Sequence, residues 1–202
     1  YVHFSGHGQQ MKDVHNDEKD GLDECWIPYD AYRKPCNKDR GEKHLTDDEV
    51  NYYLNAIRDK IGDSGKMLVV IDACHSGGAT RGDENEVVRG VEDIFEAIKS
   101  FIWGTSADNG KADVNPNAKE NEERWITISA CKSDQVNIEM KSPAVGKLTY
   151  AIYNKVKENT GNDNYDFIRR IRKFVNSNTG SRPQYPVMTG EIDRFRITDI
   201  IQ

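Results

Sequence analysis

Two short stretches of the chain are apolar at nearly every position, and the segments around them alternate or recur at helical spacing. KMLVVIDA, residues 66–73, is continuous and rich in β-branched residues, which predicts a parallel strand buried on both faces. WITISAC, residues 125–131, predicts a second such strand. At the start, Tyr1, Val2, His3, Phe4 and Ser5 alternate and then break into Gly6, His7 and Gly8. That is the end of a buried strand delivering a loop at its carboxyl edge. Thr46 followed by Glu49 forms a capping-box pattern and opens a helix whose apolar stripe is Val50, Leu54, Ile57 and Ile61. Val87–Trp103 reads as helical at first, through Val88, Val91, Ile94, Phe95 and Ile98, and residues 146–158 and 165–177 read as two further amphipathic helices. Segments 9–25 and 104–124 show no period and read as solvated loops, the second of them flexible. The tail is Pro-punctuated and extended, with room for a last strand. Strands alternating with helices predict an α/β sandwich around a mostly parallel sheet, a single domain over residues 1–202.

Charge and cysteine content narrow the classes. With 28 Lys plus Arg against 34 Asp plus Glu, the formal charge of the 202 residues is −6, which argues against nucleic acid or an anionic membrane as the main partner. No apolar run is long enough to span a bilayer. Cys25, Cys36, Cys74 and Cys131 form no CxxC pair and no framework spacing, so reduced thiols in a cytoplasmic compartment are expected rather than a disulfide scaffold or a zinc site. The chain opens on YVHFSGHG with neither signal peptide nor start Met, and the expectation is a fragment or a processed product.

SGHG and CHSG both fall at carboxyl ends of strands, where α/β sheets bind ligands. A nucleophilic thiol needs a base to hold its proton and open backbone around the reacting carbonyl. Cys74 supplies the thiol and His7 the base, while Gly6, Gly8, Gly77 and Gly78 leave the backbone bare. The Gly8 and Cys74 N–H groups are the expected oxyanion donors. Taken singly, each residue is more often structural; it is the joint placement that points to chemistry.

HFSGHG followed by VVIDACHSGG resembles the caspase-like cysteine peptidases and, within them, the metacaspases; the likeness extends through ITISACKSDQ to the RPQYP tail. It implies His7 as general base, Cys74 as nucleophile and no cofactor for the chemistry itself. Aspartate-specific caspases resemble QAC at the nucleophile, whereas this chain reads Asp72-Ala73-Cys74. An acid two residues before the thiol shares its face of the strand and favours Lys or Arg at P1 over Asp. Asp72 and Ser5 match the family's pocket positions, and Asp134, after the second strand, is a further candidate for the pocket. The family also places strands before the His-bearing one. A separate N-terminal fragment or chain is therefore expected to complete the sheet.

The resemblance further implies calcium, held by Asp23, Asp47 and Asp48 and an Asp after the CHSG loop. The last position falls at Arg81 here, with Asp83 two residues on. An EF-hand does not fit, because with Gly21 at the sixth position Ile27 stands where Glu is required. A solvated acidic loop with helix N-terminal charges accounts for the same residues and stays open beside calcium. A basic P1 preference permits self-cleavage, with Arg81, Arg89, Lys111, Lys119 and Arg124 as candidate positions. Two alternatives remain: a caspase-like binding module without turnover, and a cysteine phosphatase. CHSGGATR has one residue too many between Cys74 and Arg81 for a phosphate cradle. His3 is expected to be packed, His75 structural, His15 and His44 solvent-exposed, and Trp26, Trp103 and Trp125 to serve packing.

Overall fold

The computed structural model describes residues 1–13, 20–74, 86–95, 123–132, 135–158, 163–177 and 183–201. Its central sheet has the order β1-β5-β8-β11, built from β1 (Val2–Ser5), β5 (Leu68–Asp72), β8 (Ile126–Ser129) and β11 (Val187–Gly190). β1, β5 and β8 run parallel and β11 joins antiparallel, so the sheet is mostly parallel, as expected.

Alternate residues of β5 feed two cores, as the period of a pleated strand requires. Leu68 and Val70 meet Ile126 and Ile128 of β8 and the helices α2 (Lys147–Lys157) and α3 (Asn164–Ser177). Val69 faces the other way, with Met67, Trp125 and Leu54 of α1 (Asp47–Ile61). Helices thus cover both faces of the sheet, which is the sandwich. The starts of the two later helices fall within a residue of the positions expected from their pattern.

The capping box at the start of α1 is present in both directions: the Glu49 N–H donates to Thr46 Oγ1 and the Thr46 N–H to Glu49 Oε2. The stripe is partly different from the one expected. Ile57 and Ile61 are exposed, while Arg58, one turn after Leu54, is buried and donates through Nε to the Arg124 carbonyl at 2.8 Å. A buried guanidinium is tolerated there because backbone carbonyls receive its protons.

Two of the expected loop and helix assignments are overturned. The 9–25 segment is a hairpin at its described ends: β2 (His7–Lys12) pairs antiparallel with β3 (Leu22–Ile27), and β4 (Leu45–Thr46) and β7 (Gly90–Phe95) flank them. The polar pattern hid it because this small sheet buries polar groups. Gln9 is fully buried, donating through Nε2 to the Arg33 carbonyl at 3.1 Å, with its Oε1 3.3 Å from His44 Nε2. His44 is likewise fully buried against Phe95, not solvent-exposed. Val87–Trp103, expected to begin as a helix, is instead β6 (Glu86–Val88) and β7 as far as it is described. β6 adds antiparallel to β9 (Ile138–Lys141), beside β10 (Ala144–Gly146), and β7 parallel to β2; those backbone ladders and the β-branched valines outweigh the helical spacing. His15, His75 and Trp103 lie outside the described residues. Trp125 is buried and Trp26 stacks on Phe4, as expected of packing residues. No described helix is long and apolar enough to cross a membrane.

Candidate active site

The register of β1 on β5 brings the two glycine-flanked motifs to one edge. Ser5 lies opposite Asp72, and the Gly6 N–H continues the ladder by donating to the Asp72 carbonyl at 3.2 Å. His7 and Cys74 therefore leave adjacent strands at the same level, beyond the carboxyl end of the sheet. Their backbones converge on a single acceptor. The Gly8 N–H (3.4 Å) and the Cys74 N–H (3.2 Å) both donate to the carbonyl oxygen of Arg89. Two amides aimed at one carbonyl oxygen form the arrangement that stabilises charge on such an oxygen.

Cys74 is buried, and its thiol donates to the Gln135 carbonyl at 3.2 Å; Cys131 Sγ donates to the same oxygen at 3.4 Å. All four cysteines are free thiols. The pKa of His7 is held below its ordinary value of 6.5, first by desolvation and then by the positive charge of Arg89, with Glu139 acting in the opposite sense. A neutral imidazole at physiological pH is the consequence. His3, packed as expected with Nε2 3.1 Å from Thr149 Oγ1, is also lowered, chiefly by desolvation.

Asp72 is fully buried. Its Oδ1 accepts from Asn137 Nδ2 at 2.8 Å, and its Oδ2 accepts from the backbone N–H of Thr149 at 2.8 Å and from the Thr149 hydroxyl. Beside it lies the Arg89 guanidinium. Arg89 Nη1 donates to Ser5 Oγ at 2.6 Å and to the Asp72 carbonyl at 3.0 Å and lies 3.8 Å from Asp72 Oδ1, while Nε donates to Glu139 Oε2 at 3.0 Å. Of the expected pocket residues, Ser5 and Asp72 thus come together around a cation, and Asp134 lies outside the described residues. Asn137, Glu139 and Thr149 were missed from sequence. The available signal was the alternation of Asn137 and Glu139 with Val136 and Ile138, polar residues two apart at the entry to the short strand β9. Asn137 passes the network on: its Oδ1 accepts from Gln184 Nε2 at 2.9 Å, which ties the tail to the pocket.

The acidic set behaves differently. Asp23 is buried on β3, Asp47 and Asp48 open α1, and Asp83 lies outside the described residues. Among the described residues no three His, Cys, Asp or Glu side chains converge to hold a metal ion. Asp47, Asp48 and Glu24 instead line a cavity of about 670 Å³ on the α1 side of the sheet that reaches Cys74 and Cys131.

The caspase-domain family model matches residues 1–194. This chain belongs to the caspase-domain family. Metacaspase-1 of Schizosaccharomyces pombe is 28% identical over 218 residues, covering 91% of this chain and 48% of that protein. Metacaspase-1B of Neurospora crassa is 26% identical over 212 residues, covering 91% and 47%. The chain spans about half the length of the curated relatives it matches. In structure, it resembles a protein of Geobacter sulfurreducens with a TM-score of 0.55 at 20% identity, covering 93% of this chain and 64% of that one; that likeness concerns the fold alone.

Proposed function

We propose that this caspase domain is a cysteine endopeptidase of metacaspase type that cleaves peptide bonds after Arg or Lys. The observation that carries the reading is the convergence of the Gly8 and Cys74 amides on one carbonyl oxygen, next to a buried carboxylate already paired with a guanidinium.

In this reading His7, neutral near pH 7, takes the thiol proton of Cys74, and the sulfur attacks the substrate carbonyl carbon. Charge gathering on the oxygen is met by the two amides, which need no reorganisation because the strands fix them. The imidazolium then gives its proton to the departing amine, and water releases the acyl group from sulfur. A P1 guanidinium or ammonium enters between Ser5, Asp72 and Glu139, and Asp134 stays a further candidate acid for the same pocket from its sequence position. Asp at P1 would meet like charge in a buried setting and be rejected. Substrates are peptides or proteins with basic P1 residues. No step runs through calcium; Asp23, Asp47, Asp48 and Asp83 enter only as an acidic set whose response to the ion the assay below reads.

Fluorogenic peptides ending in Arg, Lys or Asp test the reading, with p-nitrophenyl phosphate alongside and with calcium or EGTA in parallel. Hydrolysis after Arg and Lys, lost in Cys74→Ala, is expected. Cleavage after Asp alone overturns the pocket assignment, and release of phosphate without peptide hydrolysis overturns the peptidase.

A further inference from the structure

We infer that Cys131 is the resolving thiol of Cys74, and that under peroxide the two sulfurs join in a reversible disulfide that switches the peptidase off. The inference rests on the peptidase reading above for the reactivity of Cys74, and adds a modification site and the thiol that completes it.

Two thiols share one acceptor. Cys74 Sγ donates to the Gln135 carbonyl oxygen at 3.2 Å and Cys131 Sγ to the same oxygen at 3.4 Å. The sulfurs are therefore no farther apart than those two contacts laid end to end. The acceptor is itself held in place: the Gln135 N–H donates to the Lys132 carbonyl at 3.0 Å, and its side-chain Oε1 accepts from the Tyr185 N–H at 3.1 Å.

The backbone suits a bond between them. β5 and β8 run parallel with Ile71 opposite Ser129, and the Ala130 N–H donates to the Ile71 carbonyl at 2.9 Å. Carried two residues on, that register sets Ala73 opposite Cys131, and Cys74 follows one residue later. A stagger of one residue between neighbouring strands separates Cα atoms by about 6 Å, inside the range of about 4.4–6.8 Å that a disulfide spans. Both residues line the cavity on the α1 side of the sheet, which gives a small oxidant a route to them. The other two thiols are placed differently. Cys25 is buried with Met11 and Phe95, Cys36 is bridged to Asp39, and neither is among the described residues lining the cavity. A packing role explains why Cys131 ends a strand but not why it shares the acceptor of Cys74.

The electrons balance with hydrogen peroxide as the oxidant. His7 takes the Cys74 proton, and the sulfur attacks one peroxide oxygen. The O–O bond breaks, and the hydroxide released leaves as water with the proton from His7. Cys74 is then a sulfenic acid. The Cys131 sulfur attacks it, the S–S bond forms, the S–O bond breaks, and the departing hydroxide carries off the Cys131 proton as a second water. Two thiols have given up two electrons and peroxide has taken them. The disulfide has no thiolate to attack a carbonyl, and a dithiol restores both cysteines by exchange. In a reducing compartment such a bond is transient, as expected of a sensor rather than a staple.

The test exposes the wild-type chain, Cys131→Ser and Cys36→Ser to hydrogen peroxide near neutral pH. Arg-ended peptide hydrolysis is measured before oxidation, after it and after dithiothreitol, each chain against its own untreated rate. Unreduced peptide mapping by mass spectrometry reads the linkage independently of activity. In the wild type, activity is expected to be lost and then recovered on reduction, with the Cys74 and Cys131 peptides linked at a rate independent of protein concentration. Cys36→Ser behaves the same way. Cys131→Ser loses activity and does not recover it, because the unresolved sulfenic acid goes on to sulfinic acid. Absence of the Cys74–Cys131 link, or recovery in Cys131→Ser as full as in the wild type, overturns the inference and leaves the peptidase reading standing. A chain that forms the link but hydrolyses no peptide before oxidation overturns the peptidase reading and keeps the thiol pair.

Discussion

Asp72 caps a helix it does not belong to: its Oδ2 accepts from both the backbone N–H and the hydroxyl of Thr149, in the first turn of α2. That helix begins on Gly146, which has no side chain to cap with, and carries no acid in its first turn. The carboxylate from β5 supplies the missing acceptor and the negative charge that the N-terminal end of the helix dipole favours. One side chain therefore serves both stability and the proposed recognition of a basic residue.

Replacing Asp72 separates these roles. Asp72→Ala leaves the Thr149 N–H, the Thr149 hydroxyl and Asn137 Nδ2 without their acceptor, and is expected to cost about 2–4 kcal/mol in urea unfolding. Asp72→Asn keeps one acceptor oxygen and loses less stability, yet raises KM for Arg-ended peptides. A folded Asp72→Asn domain with an unchanged preference for Arg would remove Asp72 from the pocket.

Gly146 is held by the same carboxylate. A Cβ there would lie 2.1 Å from Asp72 Oδ2, and the buried, triply bonded acid has no room to swing away. Gly146→Ala is expected to destabilise by about 1–3 kcal/mol and to impair cleavage after Arg together with stability. Thermal unfolding indistinguishable from wild type would contradict the contact.

The pH response follows from His7. Its folded pKa lies below 6.5 because of desolvation and of Arg89, so the ring stays neutral on acidification past the point where a free imidazole charges. NMR titration of the His7 ring in the Cys74→Ala chain should give an apparent pKa below 6.5, and adding Arg89→Gln should raise it. For stability, both His3 and His7 are lowered, so the unfolded chain binds protons first. Their contribution is present above the unfolded value of 6.5 and is lost as pH falls through the folded values, which a series of melting temperatures would show.

Asn164 fixes the tail. Nearly buried at the start of α3, it donates to the carbonyls of Ile192 and Phe195 and accepts from the Ile197 N–H. Asn164→Ala is expected to cost about 2–4 kcal/mol and to loosen Ile197, which belongs to the main core. Hydrogen exchange at the Ile197 amide reads it directly; unchanged protection there would refute the account.

Legibility followed the physics of each segment. β5 and β8 were plain because strands buried on both faces have almost no freedom in composition, and α1 because its capping box is a local pattern. His7 and Cys74 stood out because each ends a strand among small residues. β6 and β7 were misread because their valines satisfy helical spacing as readily as a pleat, and only partner strands β9 and β2 choose between the two. His44 and Gln9 looked solvated because a polar side chain buried by reciprocal hydrogen bonds leaves no mark in hydropathy.

The order of residues by itself determined the sandwich, the strand ends and the chemical types gathered at them, since hydrophobic period and small-residue breaks are properties of neighbours along the chain. Tertiary structure alone decided that Arg89, Asn137, Glu139 and Thr149 meet around Asp72. Those residues come from four segments, and what joins them is strand register, which depends on backbone partners far away in sequence.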